Sequence, residues 1–148
     1  MTGEGTDKPA RPKRLYLDTS AYLCILLREE GSDVLARETN GAELLSSVLL
    51  ILESKRNLVR LAREGTLRTE QYKECLSRLE ADADIFLLSD LTLEMCKSNL
   101  IPAVATPRSL DLAHLRTAIW FNSVDPIDRF VTNDESQRQA AKELGLPI

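Results

Sequence analysis

Short apolar segments alternate with longer helical patterns along most of this 148-residue chain, and this alternation limits the folds it can adopt. Apolar-rich runs of three to five residues predict strands at 15–17, 43–47, 85–88 and 130–132, with a last edge strand at 146–148. Helical patterns predict helices at 21–28, before Asn40, and at 48–64, 69–83, 91–100, 109–122 and 135–144. Because strands separated by helices pair in parallel, the sequence predicts an α/β domain with a central, mostly parallel sheet of short strands flanked by helices.

The chain divides into a short polar arm and one domain. Residues 1–13 contain two Gly and two Pro among charged side chains, which is typical of a flexible arm. Residues 14–148 have the length of one ordinary domain. With 19 basic and 23 acidic side chains the net charge is −4, which excludes a general nucleic-acid coat and a polybasic membrane binder.

Hydropathy and cysteine content indicate where such a protein works. The longest apolar stretches, 22–27 and 48–52, are far shorter than the roughly 20 residues of a membrane-spanning helix. The N-terminal residues have no apolar core like that of a secretory signal. Three cysteines without C-x-x-C spacing argue against a disulfide framework or a cysteine zinc site. We expect a cytoplasmic protein without a membrane partner.

Two predicted strands are followed closely by an aspartate. Asp18 comes directly after 15–17, and Asp134 lies just after 130–132. Either residue could simply be the N-cap of the next helix, a role worth about 1 kcal/mol. In parallel α/β sheets, however, ligands bind beyond the carboxyl ends of the strands. Both aspartates are therefore also candidates for a functional site.

Two further carboxylates lie in unusually apolar surroundings. Asp111 shares a predicted helical stripe with Leu115 and Ala118, where a carboxylate must be paired, neutralised or bound to a cation. Glu53 follows five consecutive apolar residues. A pairing with Arg56 or Asn57, on the next helical turn, is its alternative explanation.

The four acids together are more informative than any one of them. They come from successive strand–helix units, so they are predicted to converge, and converging carboxylates repel each other unless a cation is present. Oxygen ligands suit Mg²⁺ or Mn²⁺ rather than zinc. The only histidine, His114, cannot build an imidazole-rich site and is predicted to pack within its helix. Such a site suits phosphate substrates, because a bound cation can activate water and stabilise charge on phosphorus.

Other phosphate-handling folds fit the sequence less well. A receiver-like domain would have an adjacent acidic pair where Asp18 is followed by Thr19 and Ser20, and a phosphatase of the haloacid-dehalogenase type would have a D-x-D motif there. Neither G-x-G-x-x-G nor G-x-x-x-x-G-K-[ST] occurs, which disfavours nucleotide-binding folds.

The order and spacing of these motifs resemble the PIN-domain ribonucleases, particularly the VapC-type toxins of bacterial toxin–antitoxin pairs. The likeness covers residues 14–148. The segments that carry it are LYLDTS at 15–20, the helix around Glu53 at 47–56, SLDLAHL at 109–115, FVTND at 130–134, and the C-terminal residues 140–147.

The resemblance implies a single PIN-like domain that acts as a Mg²⁺- or Mn²⁺-dependent endoribonuclease. It implies an RNA substrate, a homodimer and a small antitoxin protein that inhibits the enzyme. Ser20 and Thr132 match the hydroxyl positions of the family. Its four catalytic and metal-binding acids carry over onto Asp18, Glu53, Asp111 and Asp134.

Three points stay open at this stage. The fourth acid could be Asp134 or one of its neighbours Glu135 and Asp128. Arg56 and Arg60 could contact RNA phosphates or lie on a solvated helix face. The same family also includes nucleases of RNA processing, and a PIN-like module that binds a partner without cutting RNA is the alternative from another class.

Overall fold

The fold is known from a computed structural model that describes residues 11–99, 103–105 and 108–148. Four strands form one sheet with the order β3-β2-β1-β4. Every pair of neighbours is parallel, as in Leu15–Leu44 of β1 and β2 and Leu17–Val131 of β1 and β4. The strands are β1 (Arg14–Leu17), β2 (Glu43–Ser47), β3 (Leu87–Ser89) and β4 (Arg129–Val131). The prediction of an α/β domain with a parallel sheet is confirmed.

Helices flank this sheet and connect its strands. Within the described residues they are α1 (Thr19–Leu26), α2 (Ser32–Thr39), α3 (Leu49–Arg63), α4 (Thr69–Ile85), α5 (Leu93–Lys97), α6 (Ser109–Val124) and α7 (Glu135–Glu143). None of the helices in these parts of the chain has the length and apolar character needed to cross a bilayer.

The two faces of the sheet bury separate hydrophobic clusters. Leu15 and Leu17 of β1 point to one side, where they pack with residues of α1, α3 and α4. Tyr16, between them, points to the other side and packs against residues of α6 and α7. This alternation follows from the two-residue period of a strand. Burial on both faces fixes β1 between its neighbouring strands. Its carboxyl end lies at the edge of the sheet where all four parallel strands end, the carboxyl edge.

Several element boundaries differ from the sequence prediction for local reasons. Helix α1 begins at Thr19, two residues early, because the side chain of Asp18 caps it by accepting from the Ala21 amide. Helix α4 continues to Ile85, so β3 starts two residues later than predicted. The extended backbone of Phe86 ends α4, and its buried ring packs edge-on against Tyr22 at 5.7 Å.

Two predictions near the C-terminal half were wrong in detail. Residues 146–148 are not a strand, although the Phe130 amide donates to the Pro147 carbonyl at 2.7 Å. Of the helix predicted at 91–100, the structure has Leu93–Lys97, and Leu100 lies outside the described residues.

The predicted polar arm lies mostly outside the described residues, which begin at Arg11. At its end, Arg11 forms an ion pair with Asp125, and the Lys13 carbonyl accepts from the Glu43 amide at 2.8 Å. Residues 11–13 therefore contact the domain rather than standing apart from it.

Candidate active site

Asp18 stands at the carboxyl end of β1, buried with 3% of its surface exposed. Its Oδ1 accepts from the Ser20 hydroxyl at 2.7 Å and from the Ala21 amide at 3.1 Å, and its Oδ2 accepts from the Thr132 hydroxyl at 2.6 Å. Burial raises the pKa of Asp18, while these donors act in the opposite direction. Asp18 is therefore both the helix cap and a desolvated carboxylate held in one orientation.

Ser20 and Thr132 join the ends of β1 and β4. Each hydroxyl donates to a different oxygen of Asp18, and the two hydroxyl oxygens lie 3.1 Å apart. In return Ser20 Oγ accepts from the Asn133 amide at 2.9 Å, and Thr132 Oγ1 accepts from the Asp134 amide at 3.1 Å. The structure thus brings both predicted hydroxyls to the first acid.

The three candidates for the fourth acid lie in different places. Asp134 caps α7, accepting from the Ser136 and Gln137 amides at 2.8 and 3.3 Å. Glu135 is exposed and forms an ion pair with Arg138. Asp128 accepts from the Arg14 backbone amide at 2.7 Å, at the amino end of β1 and so at the other edge of the sheet. Only Asp134 of the three is tied to Thr132 by hydrogen bonding.

Asp111 lies in the first turn of α6 and is partly buried. Burial raises the pKa of its carboxyl, and the negative charges of Asp134, Asp18 and Glu53 raise it further, while Arg108 opposes them. The charges of the other three predicted acids therefore reach Asp111. A hydrogen bond of 2.8 Å from Gln137 Nε2 to the Asp111 carbonyl holds α6 against α7 at this point.

Glu53 approaches the same edge from α3. Its Oε1 accepts from the Thr19 hydroxyl at 2.9 Å and lies 2.9 Å from Nε2 of His114. Its carboxylate makes no ion pair with Arg56; Asn57 instead donates to the Glu53 backbone carbonyl at 2.9 Å. The explanation of Glu53 by an ion pair within its own helix is therefore wrong. The partners of its carboxylate come from α1 and α6.

His114 does more than pack. It is 1% exposed, and in addition to Glu53 it contacts the Tyr16 hydroxyl through Nδ1 at 2.7 Å and Thr19 Oγ1 through Nε2 at 3.1 Å. Sequence reasoning missed this link. A buried imidazole must satisfy two nitrogens, which was the available signal, but its partners are 95 and 98 residues away in the chain.

The two predicted RNA-contacting arginines are exposed on α3. Arg60 is engaged within its own helix, with Nη1 3.2 Å from Glu64 Oε2 and Nη2 donating to Asn57 Oδ1 at 3.2 Å. Arg56 projects from the same helix one turn earlier. Neither forms an ion pair with the four acids.

The oxygen donors at this edge are of the kind that a hard divalent cation binds. The described side chains do not, however, lie close enough together to form a complete coordination shell. In the described parts of the chain, no three His, Cys, Asp or Glu side chains are close enough to share a metal ion. Over the same residues, none of the four acids is paired with Arg or Lys. Carboxylate oxygens without an Arg or Lys ion pair in the described chain match the preference of Mg²⁺ and Mn²⁺.

Two ribonucleases of Mycobacterium tuberculosis are similar to this chain. Ribonuclease VapC35, in strains CDC 1551 / Oshkosh and ATCC 25618 / H37Rv, is 30% identical over 139 residues, which cover 90% of this chain and 94% of the relative. Ribonuclease VapC46 of strain ATCC 25618 / H37Rv is 31% identical over 135 residues, covering 90% and 95%. No protein-family model matches the chain. On this similarity along nine-tenths of its length, and on its α/β fold, the chain belongs to the VapC-type ribonucleases of the PIN-domain family.

Proposed function

We propose that this protein is a Mg²⁺- or Mn²⁺-dependent endoribonuclease that hydrolyses RNA phosphodiester bonds. One observation carries the proposal: the charges of Asp18, Glu53 and Asp134, which come from separate parts of the fold, act on Asp111, and in the described chain no Arg or Lys forms an ion pair with any of the four acids. The relatives named as ribonucleases support the RNA substrate. The residues proposed to hold the cation are Asp18, Glu53, Asp111 and Asp134.

In the proposed mechanism the protein's own contribution is orientation. A divalent cation supplies Lewis acidity that activates water and stabilises charge on the phosphorus. Ser20 and Thr132 fix both oxygens of Asp18, so this carboxylate does not need to reorient when a ligand binds. Its burial keeps water away and strengthens its interaction with a cation.

The other three acids are fixed to different degrees. Thr19 and His114 hold one oxygen of Glu53, and the capping bonds of Asp134 direct its carboxyl toward the start of α7. Among the described residues the Asp111 carboxylate has no hydrogen-bond or ion-pair partner, and the charges of the other three acids act on it. A cation would relieve their repulsion, which gives the site an electrostatic reason to bind one before RNA.

The biological setting is also part of the proposal. The VapC relationship supports a role as the toxin of a toxin–antitoxin pair, with a small antitoxin protein as partner. A homodimer, contacts of Arg56 and Arg60 with RNA phosphates and a cytoplasmic location stay predictions.

A cleavage assay on a mixed pool of structured and single-stranded RNAs tests the activity. We expect wild type to cut with Mn²⁺ or Mg²⁺ and not with EDTA, and Asp18→Asn to lose at least about a hundredfold in rate, because it removes a ligand charge with little change of volume. Asp33→Asn, at an exposed position of α2, is the matched control and should cut like wild type.

Two outcomes would contradict the proposal. Cleavage that persists in EDTA would remove the cation from the mechanism, and wild-type turnover by Asp18→Asn would remove that residue. A folded wild type that cuts no RNA in the pool would favour the binding module over the nuclease.

A further inference from the structure

The chain has one histidine, and both nitrogens of its imidazole are engaged in the buried interior. Nε2 lies 2.9 Å from Glu53 Oε1, and Nδ1 lies 2.7 Å from the Tyr16 hydroxyl. At 2.9 Å from a carboxylate oxygen, Nε2 must carry a hydrogen and donate it, because two acceptors at this distance would repel. In a neutral imidazole Nδ1 is then the acceptor.

The surroundings of Tyr16 supply the matching donor. The Ser46 hydroxyl donates to the Leu17 carbonyl at 2.7 Å, and the Thr117 hydroxyl donates to the Ala113 carbonyl at 2.8 Å. These two neighbours therefore use their protons elsewhere. The Tyr16 hydroxyl is fully buried, and the Nδ1 atom 2.7 Å away is the acceptor for its hydrogen.

In the described chain, one of the two carboxylate oxygens of Glu53 makes all of its side-chain hydrogen bonds. The Thr19 hydroxyl and His114 Nε2 both bind Oε1. Oε2 has no hydrogen bond to any residue of the described chain. The Glu53 side chain is 18% exposed, so its carboxylate is accessible at the carboxyl edge of the sheet. A glutamate on a helix otherwise samples several rotamers, and two donors on one oxygen restrict that freedom.

We infer that Tyr16 and His114 form a two-bond chain that selects the Nε2–H tautomer and thereby orients Glu53, leaving Oε2 as its ligand-binding oxygen. His114 is thus a positioning residue. It acts through Glu53, in the way that partners of metal-binding carboxylates act in other sites. The tautomer stands on the geometry alone, whereas the role toward a cation rests on the function proposed above.

The tautomer can be measured without any activity. Since the chain has one histidine, ¹⁵N-histidine labelling gives one pair of ring-nitrogen signals in NMR spectra of the cation-free protein. We expect the proton on Nε2 and none on Nδ1. Tyr16→Phe keeps the ring, including its stacking on Phe130 at 5.4 Å, and removes only the hydroxyl donor. In this variant the proton should stay on Nε2, because Glu53 still accepts it, while the Nδ1 signal should shift because its hydrogen-bond donor is gone. A proton on Nδ1 of the wild type, or an unchanged spectrum in Tyr16→Phe, would overturn the inference.

Two substitutions at position 114 test the positioning role. His114→Gln can place an amide N–H near the position of Nε2, whereas His114→Asn is too short and reaches only the position of Nδ1. Both remove the buried ring. By electron paramagnetic resonance of Mn²⁺, we expect His114→Asn to bind the ion about tenfold more weakly than wild type, and His114→Gln to recover most of that loss.

The outcomes separate the two proposals. Equal Mn²⁺ affinity in His114→Gln and His114→Asn, with both variants folded, would show that His114 only packs. A wild type that does not bind Mn²⁺ would overturn the cation site and with it the positioning role, while the NMR spectrum would still decide the tautomer. Melting curves of both variants verify that they are folded.

Discussion

The sheet has an amino edge and a carboxyl edge, where the amino and the carboxyl ends of its parallel strands lie. The two edges differ in how their charged side chains are paired. At the amino edge, Arg14 begins β1 and Arg129 begins β4, and both are paired with acids. Arg14 Nε lies 3.6 Å from Glu43 and 3.8 Å from Asp125, and Arg129 pairs with Glu38. At the carboxyl edge, the acids proposed for the site have hydroxyl, amide and imidazole partners but, in the described chain, no Arg or Lys.

The charges of the amino edge stabilise the fold, whereas those of the carboxyl edge belong to the proposed functional site. The guanidinium of Arg14 also donates to the Asp125 and Pro126 carbonyls, so the amino edge uses its charges to join β1 to the loop before β4. At the carboxyl edge, burial raises the pKa of Asp18, and burial together with the neighbouring acids raises the pKa of Asp111, so the charged form of each is disfavoured there. An uncompensated charge of this kind costs stability and is useful only if a ligand neutralises it.

The largest expected effect is on Arg14, which is 6% exposed. Arg14→Met keeps a long apolar side chain but removes the donors to two carbonyls and the pairing with Glu43 and Asp125. We expect the free energy of unfolding to fall by about 2 kcal/mol. Urea denaturation measures it, and Arg60→Met, at an exposed pair with Glu64, is the matched control that should change by less than about 0.5 kcal/mol. Equal effects at the two sites would mean that the amino edge is not a structural anchor.

A smaller effect of opposite sign is expected at Asp111. Burial and the neighbouring acids raise its pKa in the folded protein, so the folded state binds a proton more tightly than the unfolded state. Stability therefore falls as the pH rises from the unfolded pKa through the folded one, and the full cost is present at neutral pH. In EDTA at neutral pH we expect Asp111→Asn to raise the melting temperature by about 2 °C.

Two conditions sharpen the result at Asp111. At acidic pH the difference from wild type should disappear, because the carboxyl is then protonated in both states. Addition of Mn²⁺ should stabilise wild type more than Asp111→Asn. Asp90→Asn, at an exposed position after β3, should leave the melting temperature unchanged. A lower melting temperature for Asp111→Asn in EDTA would show that the carboxyl edge is stabilised by its acids after all.

The smallest expected effect is at Arg129, where the ion pair with Glu38 is partly exposed, at 35% and 21% of the side chains. Arg129→Met should lower the free energy of unfolding by about 0.5 kcal/mol. Because salt screens exposed pairs, the difference from wild type should shrink at high ionic strength. A difference that is independent of salt would indicate lost packing of the aliphatic stem instead.

Elements that depend on local sequence could be predicted. The strand at Glu43–Ser47 is found at its predicted limits, and α3 differs by one residue at each end from the predicted 48–64. Asp18 and Asp134 stand out because each follows a strand, and both do cap the next helix. Helix capping and the proposed role in the site therefore involve the same two side chains.

Contacts between distant parts of the chain could not be predicted. The strand order is not encoded in any local pattern, and neither is the pairing of Glu53 with His114, 61 residues further along the chain. The charged amino edge was missed for the same reason, since Arg14 lies 111 residues before the carbonyl it binds. Gln137 reads as an ordinary helix-surface residue, yet it is 1% exposed and joins α7 to α6.

The interior position of β1 also has a consequence for synthesis of the protein on the ribosome. β1 pairs on one side with β4, and Asp18 precedes Asp134 by 134 − 18 = 116 residues. A growing chain therefore presents Asp18 without Thr132 or Asp134 while the residues between them are synthesised, because domains assemble only when their long-range partners have emerged. During that interval the nascent chain lies beside ribosomal, messenger and transfer RNA and cannot complete the carboxylate edge.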